Sequence, residues 1–112
     1  MLSEPTTSLP AVAQLQVPGA FKAVYTVGYQ VRLTVAVIHV ANTTSNACTV
    51  SVCGYPTGGS ATAATALLWA YSIPPNDFLE FGQGLILPSG WTLAALGGTA
   101  LAATITLSGI TQ

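Results

Sequence analysis

Residues 30–41 read QVRLTVAVIHVA, a polar NTTSN follows at 42–46, and CTVSVCGY occupies 48–55. In the first stretch Val31, Leu33, Val35 and Val37 alternate with Arg32, Thr34 and Ala36. That is the period of a strand with one face on a core. Around Ile38, His39 and Val40 both faces turn apolar, which predicts a strand covered on both sides there. The 42–46 run consists of residues that bond their own backbone, so it reads as a turn. In the third stretch Cys48, Val50 and Val52 lie opposite Thr49 and Ser51. Strand, turn and strand in succession set the class as β.

The same reading extends in both directions. Upstream, 20–27 is a strand rich in Val, Tyr and Phe, interrupted at Gly28-Tyr29. Downstream, PTGGSATAATA at 56–66 is a loop of small residues, and 67–73 is a strand with Leu67, Trp69 and Tyr71 on one side. Pro74-Pro75-Asn76-Asp77 turns the chain into 78–81 and 85–87, short strands split by Gly82-Gln83-Gly84. Pro88-Ser89-Gly90 leads into 91–96, and Gly97-Gly98-Thr99 into 100–110, where Ala103, Ile105 and Leu107 oppose Thr104, Thr106 and Ser108. The only helical candidate, 61–68, is weakened by its threonines and its lack of charge. About eight strands punctuated at this spacing predict an all-β antiparallel sandwich, jelly-roll-like. Residues 1–18, MLSEPTTSLPAVAQLQVP, carry three prolines and read as an extended N-terminal arm ahead of a β-sandwich domain at 19–112. Fully extended, the arm reaches about 60 Å.

Charge is the most informative composition. Glu4, Lys22, Arg32, Asp77 and Glu80 are the only charged side chains, 4% of 112 residues, where an ordinary domain carries about 25%. A hydrophobic fraction of 51% excludes disorder. A compact monomer of this mass exposes roughly 5,800 Å², which five charges cannot cover. Much of the surface is therefore expected to lie against protein, in a homo-oligomer or a lattice. Two basic residues cannot neutralise a phosphate backbone or mark a polybasic membrane site, so neither nucleic acid nor membrane is an expected partner. No run of ~18 apolar residues spans a bilayer, and residues 1–18 lack the apolar centre of a secretory signal.

The chain offers little chemistry. His39 stands alone in an apolar run and reads as a core histidine; a triad needs a base oriented by an acid. Asp77 and Glu80 are three apart, so on one strand they face opposite sides, unlike paired glycosidase acids. Cys48 and Cys53 diverge for the same reason, read as buried free thiols, and with one histidine give no metal-ligand spacing. Gly58-Gly59-Ser60 lacks the lysine of a phosphate loop. Asn42-Thr43-Thr44 matches a glycosylation sequon but reads as a turn. No catalytic, metal-binding or cofactor-binding residue is assigned, and the expected function is non-enzymatic. Trp69, Tyr71 and Trp91 are read as core packing, with sugar stacking in a lectin-like sandwich as the alternative.

Four segments carry a resemblance: VRLTVAVIHVANTT at 31–44, SATAATALL at 60–68, SIPPNDFLEFGQGLILPSGWTLAAL at 72–96 and ATITLSGITQ at 103–112. Together they resemble small virion proteins of tailed bacteriophages and prophages. The hairpin Gly84-Leu85-Ile86-Leu87-Pro88-Ser89-Gly90 and the terminal Leu107-Ser108-Gly109 match that group, although Trp91 stands where the group often has an acidic residue. The resemblance implies a capsid decoration, or cement, protein made in the host cytoplasm and placed on the outer surface of the phage head. Its implied partners are the major capsid protein and further copies of itself, in a trimer at threefold positions. A head-fibre or tail-tip receptor-binding module is the alternative within the same group. Candidate assembly contacts are Leu9, Val12, Leu15 and Val17 of the arm, with Trp69, Tyr71, Phe78 and Trp91.

Overall fold

The alternating runs form nine strands in the computed structural model, which describes residues 11–112. They are β1 (Ala11–Gln16), β2 (Lys22–Thr26), β3 (Leu33–Asn42), β4 (Cys48–Tyr55), β5 (Ala66–Ile73), β6 (Asp77–Phe81), β7 (Ile86–Leu87), β8 (Thr92–Gly97) and β9 (Ala103–Thr111). One sheet runs β1-β9-β3-β6, with the short β7 also on β3; the other runs β2-β8-β4-β5. Every pairing is antiparallel. The chain crosses from one sheet to the other between most successive strands, so the first and last strands end as neighbours. This is the winding of a jelly roll, as the alternation predicts.

Inward-facing residues of both sheets make one core: Leu33, Val35, Ile38 and Val40 on β3, Ile105 and Leu107 on β9, Val50 and Val52 on β4, and Leu93 and Ala95 on β8. Each fully buried Val, Leu or Ile contributes roughly 1.5–3 kcal/mol. The strict alternation expected over residues 31–37 breaks within β3. A register shift between Val35 and Val37, against β9, moves the buried side from odd to even residues. Gly109 lies opposite Val35, and a Cβ there would collide with the Thr34 carbonyl oxygen. The Leu-Ser-Gly ending of the sequence therefore supplies the close approach that the bulge needs. It follows that residues 38–40 are not covered on both sides: Ile38 and Val40 are buried, whereas His39 is turned outward and partly exposed.

The expected arm is corrected where the structure describes it. Residues 11–16 form the edge strand β1, with Gln14 opposite Thr106 and Gln16 opposite Thr104. Val17 is fully buried; its N–H donates to the Ala103 carbonyl and its own carbonyl accepts from the Leu101 N–H, both at 2.8 Å. The sandwich thus begins by Ala11, not at Gly19. Pro18 follows the strand instead of interrupting it, which an edge strand tolerates. The remainder of the arm, residues 1–10 with Leu9, lies outside the described residues. The helical candidate at 61–68 resolves into one 3-10 turn, Ala63–Thr65, and the start of β5.

Candidate functional site

The outer face of the β1-β9-β3-β6 sheet carries His39 and Glu80. Gln14, Thr106, His39 and Glu80 lie in one row across its four strands. Gln14 Nε2 donates to Thr106 Oγ1 at 2.9 Å, and His39 Nδ1 lies 3.0 Å from Glu80 Oε2. The His39 ring stacks on Phe78 with centroids 5.0 Å apart and planes at 23°. His39 is therefore not the core histidine that its apolar neighbours predict; the β3 bulge places it on the outside. The acids do not converge: Asp77 faces the Asn42 register position and its Oδ1 accepts from the Phe78 N–H at 2.8 Å, whereas Glu80 is opposite His39. A single imidazole with one carboxylate on a flat sheet face can hold a surface ion pair and a ring stack.

The aromatic residues divide. Trp91 is partly buried against the core, in line with the packing expected of it. Trp69 and Tyr71 are 50% and 48% exposed, so core packing fails for both. They lie on β5, the outermost strand of its sheet, where no further strand covers them among the described residues. Nor do Leu67, Trp69 and Tyr71 share one side. The β4–β5 register shifts on either side of Val52, and Ala70 takes a positive φ of 48° at the second shift. Tyr71 falls opposite the core residue Val50, while Trp69 meets no core partner in the ladder. Trp69 stacks instead with Phe21, at 6.1 Å between centroids. Phe21 was not distinguished by its sequence neighbourhood, because the two residues meet only across the width of the sheet. Phe78 is 57% exposed. Val12 and Leu15 pack against the core and Val17 lies within it, so these three are structural, and Trp69, Tyr71 and Phe78 are the exposed residues among the described candidates.

Two open clefts flank these elements. One, about 450 Å³, lies beside β5 and is lined by Leu67, Phe81, Leu85 and the Gly82-Gln83-Gly84 turn. The other, about 590 Å³, lies at one end of the sandwich, and Arg32 is the charged side chain among its described lining residues. Cys48 and Cys53 are buried free thiols, as the strand period predicts, and burial pushes the Cys48 thiol pKa up. Among the described residues no cluster of three His, Cys, Asp or Glu side chains could hold a metal ion, and no helix is long and apolar enough to cross a membrane. The sequon residue Asn42 is buried, its amide fully engaged by the turn. Comparison with protein-family models, with curated proteins and with solved structures gives no match to this chain.

Proposed function

We propose that this protein is a non-enzymatic virion structural protein, a capsid decoration protein that sits on the outer surface of a phage head and braces neighbouring capsid subunits. One observation carries the reading. A jelly roll with 5835 Å² of accessible surface and five charged residues leaves Trp69, Tyr71 and Phe78 about half exposed. Large apolar side chains on an almost chargeless surface are the mark of a surface that works in contact with protein. The sequence resemblance supplies the virion setting and favours a trimer. Several copies bound on a lattice would add their weak contacts through multivalency. Because the bound protein recognises the intact shell, it would stabilise that shell by linkage.

The test compares particles with and without the protein. Contacts with so little charge are insensitive to screening, so attachment is expected to survive 1 M salt, where the Debye length falls to about 3 Å. Particles lacking the protein are expected to release DNA at lower temperature and after milder osmotic shock. Detachment in salt together with unchanged shell stability would sink the proposal. Unchanged shell stability with lost adsorption to host cells would transfer the role to a tail-tip or head-fibre receptor-binding module. The exposed Trp69 and Tyr71 give a lectin-like role one specific support, and binding to a glycan panel, abolished by Trp69→Ala, would establish it.

A further inference from the structure

Strand β5 reads ALLWAYSI from Ala66 to Ile73, the composition of a core strand. Yet Leu67, Trp69 and Tyr71 are 40–50% exposed, and Ile73 alone is buried. We infer that β5 is the surface through which copies of this chain meet, its side chains gathered about the axis of the oligomer. The inference rests on the assembly reading above and names its contact.

The backbone decides how β5 can be covered. An incoming strand needs a regular row of N–H and C=O groups, whereas β5 shifts register twice against β4, and the N–H of Ala70 is turned to Ser51 Oγ at 2.8 Å. Strand addition is thereby disfavoured and the contact is made by side chains. Trp69, steadied by its stack on Phe21, and Tyr71 are the residue types that anchor interfaces. Half-exposed aromatic side chains offer about 100 Å² each. Trp69 and Tyr71, on opposite sides of this edge strand, therefore supply the centre of an edge-on contact that needs about 800 Å² from each partner.

Charge decides who the occupant is. No Asp, Glu, Lys or Arg occurs from Leu33 through Asn76, a span that includes β4, the 56–65 loop and β5 itself. The rim that β4 and the joining loop give the patch is thus uncharged. An ordinary protein surface would bring charges against this rim and strip them of water with no partner to meet them. A second copy of this chain brings the same uncharged rim and the same apolar centre. In a cyclic oligomer, residues near the axis contact their own equivalents, which suits such a surface.

The test uses the full chain in sedimentation at micromolar concentration. The wild type is expected to show no monomer. The double variant Trp69→Thr, Tyr71→Thr keeps strand-forming residues at both positions and is expected to dissociate, with the association constant lowered at least about 100-fold. Phe78→Thr, on the other sheet, is expected to sediment as the wild type. An oligomeric double variant would overturn the β5 contact and leave the assembly reading standing, whereas a monomeric wild type would overturn both. A second measurement avoids changing the patch. In a Trp91→Phe chain Trp69 is the sole tryptophan, and its emission is expected to shift red and become open to iodide as the oligomer is diluted apart. Emission indifferent to dissociation would equally overturn the contact.

Discussion

Asn42 uses both ends of its amide to hold a corner of the sandwich. Its Nδ2 lies 2.8 Å from the Asn46 carbonyl and 3.1 Å from those of Ile73 and Pro74, and its Oδ1 accepts from the Thr44 N–H and hydroxyl at 3.0 and 2.7 Å. The β3–β4 turn is thus joined to the end of β5. Replacing Asn42 with Ala leaves these partners without a mate in a buried site, and a loss of about 2–4 kcal/mol is expected in urea unfolding. Thr44→Ala, which removes only the hydroxyl contacts, should cost about 1 kcal/mol. Cys48 makes a second prediction. Burial favours its neutral thiol, so its pKa in the folded state is raised above that in the unfolded chain. Its contribution to stability is full below the unfolded-state pKa and is lost as pH rises above it. Melting curves of the wild type should fall between pH 8 and 10.5 more steeply than those of Cys48→Ala, and parallel curves would refute this.

Among the elements, β1 offers the sharpest test. A chain cut before Ala11 keeps the β1–β9 ladder and Val17, whereas a chain cut before Gly19 loses both. The first is expected to melt cooperatively, and the second to lose several kcal/mol or fail to fold, since it exposes Ile105 and Leu107 along with the missing strand. Circular dichroism melts of the two separate the outcomes. The alternation of Gln14 and Gln16 with Leu15 and Val17 was already in the sequence; the prolines at either end concealed it. Elsewhere the strand period was enough. The reading of 48–55 coincides with β4, and 30–41 overlaps all but the last residue of β3. What the period could not convey were the bulges. A single extra residue reverses which side faces the core, so the strand period assigns His39 and Trp69 the wrong side, and the candidate site is less legible than the fold. Tyr71, opposite the core residue Val50 yet half exposed, escapes for another reason: whether a strand lies at an edge depends on sheet order, which no local pattern contains.

At the scale of the whole molecule, a two-sheet sandwich leaves edges that must not pair indiscriminately. Proteins commonly place charge there, but this chain has only Lys22 on β2 and Asp77 and Glu80 on β6. Register shifts supply the protection instead, one in β1, one in β2 and two in β5. The adjacency of first and last strands has a mechanical consequence. Ala11 lies opposite Ser108, and both strands therefore leave the sandwich at the end that carries Thr111. A tether on the N-terminal side and a load on the C-terminal side would pull that ladder apart from its open end, one rung after another. Unzipping of this kind yields at low force, because no two rungs share the load. The same sandwich pressed between its faces transmits force through interlocked core side chains and gives little. A molecule wound in this way is firm under compression and releases readily under tension between its two ends.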